Sequence, residues 1–238
     1  MATSTIQLQR TINLAQQFLR LAPLTFTENT ANDPAFSNAD WVKQFILSPS
    51  LGGWRWNRTA GTPTAPTFTT VIGQTDYKVN LPTFGWIEKA VAYDPLDGFA
   101  AFELQNDLIK GADLNSNQPA RISAQYDDDE GNITFRIFPA PDKVYNIVVD
   151  YQNSAQLFTS VTQTWAPIPD YLSYVVNEGF QAKAFDYSND PRFASSMQLF
   201  LQFCADAAEG LDASQKNLFL SDKLNTLRET ARVQAGRA

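Results

Sequence analysis

The chain has 238 residues, 44% hydrophobic and 18% charged, enough to bury a sizeable core as one large domain or two small ones. Its net charge of -7 disfavours tight nucleic-acid binding, which draws on Lys and Arg to neutralise phosphates, but suits a channel wall that DNA passes without sticking. It has no histidine and one cysteine, Cys204, which excludes Ser-His-Asp and Cys-His nucleophiles, imidazole acid–base chemistry, imidazole-ligated zinc and an intrachain disulfide.

In chain order, apolar residues at Ile6, Ile12, Leu14, Ala15, Phe18, Leu19 and Leu21 predict a helix over Thr3–Leu21, with Pro23 just beyond it. The N-terminal stretch is polar and carries Arg10, so no signal peptide is expected, and no apolar run reaches membrane-spanning length. Thr25–Asn38 is rich in Thr, Asn, Asp and Ser and predicts a loop. A short helix follows over Asp40–Leu47, capped by Ser37 or Asn38 and stopped by Pro49. The alternation Trp54-Arg55-Trp56 predicts an extended, partly buried segment, and Trp41, Trp54 and Trp56 read as a structural aromatic cluster. Asn57-Arg58-Thr59 matches a glycosylation acceptor, a pattern without meaning unless the chain is secreted.

Thr59–Pro66 reads as a linker, and Thr67 to about Tyr151 as a strand-rich region. Seven runs carry the pattern: Phe68–Ile72, Tyr77–Leu81, Trp86–Tyr93, Phe99–Leu104, Ile122–Tyr126, Ile133–Phe138 and Val144–Tyr151. In the last, Tyr145, Ile147, Val149 and Tyr151 share one face. Asp127-Asp128-Asp129-Glu130 is the one cluster that could suggest carboxylate catalysis or a calcium site. It is followed by Gly131-Asn132 and lies between two strand-like runs, so it reads as a hairpin turn with diverging, solvated carboxylates; its spacing does not fit an EF-hand loop. Gly52-Gly53 and Gly61 form no phosphate loop. The expectation is therefore a chain that is not an enzyme and holds neither cofactor nor metal.

Helices resume at Tyr171–Tyr187, capped by Asp170, then from Asp190-Pro191 to about Gly210, with Cys204 on the apolar stripe, then over Ser214–Leu227. The expected fold class is α+β: N-terminal helices (1–58) and C-terminal helices (166–227) packed as one bundle, with an antiparallel β-sandwich or barrel-like domain (59–165) inserted and an extended tail (228–238). Ser221–Ala238 holds Lys223, Arg228, Arg232 and Arg237 against Asp222 and Glu229, a locally basic end on an acidic chain.

Several segments resemble the head-to-tail adaptor (connector, or tail-tubular) proteins of short-tailed bacteriophages. They are Trp41-Val42-Lys43-Gln44-Phe45-Ile46-Leu47 running into Trp54-Arg55-Trp56-Asn57-Arg58; Thr70-Val71-Ile72-Gly73-Gln74-Thr75-Asp76-Tyr77; Trp86-Ile87-Glu88-Lys89-Ala90; Ile133–Phe138 with Pro139-Ala140-Pro141-Asp142; and Trp165-Ala166-Pro167-Ile168-Pro169-Asp170. In architecture the resemblance covers roughly residues 5–225. It implies a virion structural protein at the head–tail junction, assembled in the host cytoplasm. Its partners would be twelve copies of itself in a ring, the portal protein above, and tail tube, nozzle or fibre proteins below. Genomic DNA would pass through without sequence-specific binding, and no membrane would be involved. It also implies a portal-docking C-terminal segment, here Leu224, Leu227, Arg228, Arg232 and Arg237. Two other classes remain open: another virion ring component such as a tail-tube or nozzle protein, and a carbohydrate-binding β-sandwich with Trp54, Trp56 or Trp86 as a sugar platform.

Overall fold

The computed structural model describes residues 4–18, 34–109, 111, 115–127 and 130–235, with backbone alone for 18, 126–127 and 228–235. Among these residues the chain is mixed α and β, with five α-helices and a curled sheet. It divides into two units, Met1–Asn57 with Ala155–Ala238, and Arg58–Ser154.

The first unit holds α1 (Leu8–Phe18), α2 (Pro34–Ile46), α3 (Ser173–Tyr187), α4 (Phe193–Ala207) and α5 (Ala213–Ala235). Leu8, Ile12, Val42, Ile46, Phe180 and Phe200 are all nearly or wholly inaccessible and belong to one apolar core. Phe158, Val161 and Trp165 join that core, so the β-region ends at Ser154 and not at the expected 165. Backbone bonds explain the transfer: Leu8 N–H donates to Gln163 O, Gln9 N–H to Val161 O and Trp165 N–H to Ile6 O.

The same bonds hold residues 6 and 7 outside the helix, which starts at Leu8 and not Thr3; residues 19–21 of the expected helix lie outside the described residues. Asp170 does not cap α3. Its carboxylate accepts Ser4 Oγ (2.9 Å), Thr5 N–H (2.9 Å) and Thr5 Oγ1 (2.5 Å), and these donors hold it below the usual carboxylate range. α2 begins at Pro34, inside the stretch expected as loop, because proline fits the first helical position where no N–H is needed. The remainder of that stretch, 25–33, lies outside the described residues.

α4 begins at Phe193, two residues after Pro191, because the Asp190 carboxylate takes the Arg192 N–H (2.9 Å) and guanidinium, which pull its pKa down to about 2. α5 opens on a reciprocal cap: Gln215 N–H donates to Asp212 Oδ1 (2.8 Å) while Asp212 N–H donates to Gln215 Oε1 (2.9 Å). No Gly or Pro interrupts the sequence until Gly236, so the helix runs to Ala235 and residues 228–235 are helical, not the extended tail expected. Residues 236–238 lie outside the described residues. α3 crosses α4 and α2 at Gly179, where an added Cβ would stand 2.6 Å from Phe200 Cε2 and 3.0 Å from Val42 Cγ1.

The second unit carries β1 (Arg58–Thr59), β2 (Phe68–Thr69), β3 (Asp76–Asn80), β4 (Phe84–Asp94), β5 (Ala100–Asn106), β6 (Ser116–Asn117), β7 (Arg121–Asp127), β8 (Asn132–Phe138), β9 (Ala140–Pro141) and β10 (Asn146–Asn153). The larger sheet runs β1-β10-β4-β5-β7-β8-β3, with β2 also paired to β10. β7 and β8 pair antiparallel with Asp127 opposite Ile133, the hairpin read from the acidic turn; Asp128 and Asp129 lie outside the described residues.

The sheet is not wholly antiparallel. β5 pairs β7 in parallel, Gln105 opposite Arg121, because the chain between them returns before pairing; β6 and β9 are also parallel. Aromatic rings connect the ends of the strand order: Phe68 on β2 stacks on Tyr77 of β3 (5.0 Å) and Phe135 of β8 (5.6 Å), while Phe84 meets Phe135 and Tyr151. On β10 the period-two face of Ile147, Val149 and Tyr151 is buried, continued by Tyr145 just before the strand. Val148, on the opposite face, is buried too, with Gly61 of the linker in contact over it.

Candidate functional site

The tryptophans do not form one cluster of touching rings. Trp54 is buried, with its indole N–H donating to Ile46 O (2.7 Å), and its ring lies 5.1 Å from that of Trp56. The pair is made by a 3₁₀ turn, Arg55–Asn57, instead of the expected extended segment; Asn57 N–H donates to Trp54 O (3.0 Å). Trp56 is half-buried, and its indole nitrogen is shielded from solvent without an acceptor among the described residues. Trp41 belongs to another group, stacked on Phe45 (5.2 Å) and tilted against Phe200, with Lys183 Nζ 5.0 Å from its ring centre. A sugar platform needs an open aromatic face, which Trp54 at 2% exposure does not offer. Trp86, the third candidate for that role, is half-buried, with its indole nitrogen also shielded and without an acceptor among the described residues.

The C-terminal candidates separate as well. Leu224 and Leu227 are partly buried against the helical core, so they anchor α5 to its own unit. Arg228 and Arg232 stand on the last turns of α5; Arg237 lies outside the described residues. Cys204 is buried on α4, where desolvation pushes its thiol well above the ordinary value, the behaviour of a small apolar residue. Among the described residues no group of three or more Cys, Asp or Glu side chains could hold a metal ion, and no helix is long and apolar enough to cross a membrane.

The Val71–Tyr77 segment owes its pattern to local geometry. The Tyr77 hydroxyl donates to Gln74 O (2.7 Å) and accepts Val71 N–H (3.1 Å), Gln74 Nε2 donates to Asp76 O (2.7 Å), and Gly73 N–H donates to Pro141 O (2.9 Å). The segment thus folds back over its own tyrosine and ties to the Pro139–Asp142 turn.

Sequence reading passed over Lys43. It sits on the apolar side of α2 at 5% exposure and lines a pocket of about 200 Å³ with Gln156, Phe158, Gln163 and Thr164. Burial lowers its pKa from 10.5 to about 8, opposed by the negative charge of Asp40. Burial also raises the Asp40 pKa, although its carboxylate accepts the Phe158 N–H (2.8 Å). The available signal was a lysine interrupting the run Trp41, Val42, Phe45, Ile46, one helical turn after an aspartate.

A pH dependence follows. The folded protein releases the Lys43 proton near pH 8 and the unfolded chain near 10.5, so between these values the unfolded state binds one proton more. Stability is expected to rise with pH across that window. Lys43→Met should remove this component and stabilise the protein at pH 7 by about 1–3 kcal/mol, measured by urea unfolding over a pH series.

Compared with known proteins, the chain matches no family model and no curated protein.

Proposed function

We propose that this chain is a non-enzymatic virion subunit, a head-to-tail adaptor of the short-tailed phage type that forms a twelve-copy ring between portal and tail. The observation that carries this reading is the chain path: residues from both ends meet in one helical unit, and residues 58–154 form a separate β-unit between them. On this reading the five helices make the bundle, and the curled sheet is the barrel-like insert. The segments that carry the resemblance have structural roles compatible with a scaffold: Trp54 and Trp165 are buried, and Tyr77 pins its own loop.

A ring needs two different surfaces on each subunit. Large apolar side chains stand exposed on each unit, Tyr171, Tyr187 and Leu218 on the helical one and Ile72, Leu96 and Leu108 on the other. The acidic chain keeps free subunits soluble and leaves passing DNA unbound. Because Leu224 and Leu227 pack inward, docking to the portal falls to Arg228, Arg232 and Arg237 beyond them.

Mass measurement of the purified protein, alone and with rings of its cognate portal, tests the reading. A monomer alone and twelve copies per portal ring is the expected result; a chain that does not associate with the portal would exclude it. Truncation after Leu227 keeps the core contacts and is expected to abolish portal binding.

A further inference from the structure

We infer that the pocket lined by Lys43 is a carboxylate-binding site, with Gln156, Gln163 and Thr164 also in its lining. One side of the ammonium is occupied by the Phe158 ring, whose centre lies 4.6 Å from Nζ. No acceptor among the described residues takes a hydrogen bond from it, and no carboxylate among them lies within ion-pair distance. Asp40, one turn earlier on the same helix, accepts the Phe158 N–H through Oδ1 and acts on Lys43 as a nearby charge without forming an ion pair. The segment facing Lys43 contributes no charge: Gln156, Leu157, Phe158, Gln163, Thr164 and Ala166 are all neutral.

The polar side chains around the pocket add donors and no anion. Gln163 Oε1 is taken by the Thr159 and Ser160 N–H groups, which leaves its amide NH2 as a donor. Thr164 Oγ1 and the Gln156 amide have no protein partner among the described residues. Lys43 is 5% exposed, the nearby charge of Asp40 offsets its burial only in part, and no carboxylate among the described residues pairs with it directly, so its positive charge is undercompensated. One carboxylate supplies the missing charge and accepts from several donors at once.

Size and charge select among anions. About 200 Å³ is below the range of drug-sized or cofactor pockets, and it suits a side-chain carboxylate or a short dicarboxylate. A phosphate dianion would meet a single cation here. Leu157 and Phe158 offer apolar contact to the methylene groups of a carboxylate chain. The carboxylate can come from a free small acid or from an Asp or Glu side chain of a second copy of this acidic chain.

The test is an NMR titration of Lys43 in the full chain, labelled with ¹³C at lysine Cε, with excess acetate or glutarate against chloride at equal ionic strength. The Lys43 midpoint starts near pH 8. It is expected to rise saturably by about one unit, equivalent to roughly tenfold tighter binding to the charged form. The amide signals of Gln163 and Thr164 should shift with the same dependence, and Lys43→Met should abolish those shifts. A rise in midpoint with protein concentration alone, reproduced when unlabelled Lys43→Met, which keeps its carboxylates, is the added copy, would assign the carboxylate to a second copy. A midpoint unmoved by either acid and by protein concentration would overturn the inference, as would amide shifts that persist unchanged in Lys43→Met.

Discussion

Trp165→Ala is expected to destabilise the helical unit by about 3–5 kcal/mol, the cost of emptying a large aromatic site in a packed core. Trp165 is 1% exposed and meets Phe158 edge-on at 4.9 Å. Its indole N–H donates to Thr11 Oγ1 on α1 (3.0 Å), and its backbone N–H donates to Ile6 O (3.0 Å). Truncation therefore leaves a cavity and strands the nearly inaccessible Thr11 hydroxyl without its donor. Whole-domain stability is about 5–15 kcal/mol, so the loss is a large fraction of the total. Urea unfolding followed by far-ultraviolet circular dichroism measures it. Trp165→Phe keeps most of the volume and loses the hydrogen bond, and should fall between wild type and alanine.

Gly210→Ala is the second large effect, expected at about 2–3 kcal/mol. A Cβ there would lie 2.9 Å from both Gly53 N and Gly53 O, and 3.4 Å from Gly52 C. Both neighbours are backbone, so no rotamer change relieves the clash; the turn between α4 and α5 must move away from the segment that follows α2. Gly52 is held by the same contact at φ +72, and a Cβ added to it would stand 3.2 Å from Gly210 C. Gly111→Ala is the control: its Cβ would meet nothing within 4 Å among the described residues, and the change should stay within about 0.5 kcal/mol. Thermal unfolding of the three proteins side by side gives the ranking.

These glycines show where one-dimensional reading stops. Gly52-Gly53 could be tested against phosphate-loop patterns and rejected, but its use, backbone against backbone with Gly210, depends on a contact with the far end of the chain. Gly179 lies inside a helix, where propensity argues against it, and only the crossing with Phe200 and Val42 explains it. Asp170 is similar. Its position before a helix predicts a cap, yet Ser4 and Thr5 outcompete the helix N–H groups for its carboxylate. The tryptophan alternation at 54 and 56 fits an extended segment as well as a 3₁₀ turn, and packing of both rings chose the turn.

Local pattern carried further in the strands. Each of the seven expected runs overlaps a strand, and in the longer ones alternating burial is written directly into residue order; the strands that were missed, β1, β6 and β9, are two residues long and carry no periodicity. Of the candidate residues, the burial of Cys204 was legible from its apolar surroundings, whereas Trp54, between Gly53 and Arg55, was expected only as partly buried. The inward packing of Leu224 and Leu227 was legible only as helical spacing, since which partner takes an apolar stripe depends on the rest of the core.

What the sequence by itself determined is therefore chemical inventory and local periodicity. The absence of histidine and the single cysteine limit the chemistry available, and the 2.0 and 3.6 periods place most elements. Tertiary structure alone decided the parallel β5–β7 pairing, the allegiance of residues 155–165 to the helical core, and the placement of Lys43 in the lining of a pocket. Each of these rests on groups far apart in the chain competing for the same backbone donor, apolar surface or charge, and such competition is settled only when the chain is folded.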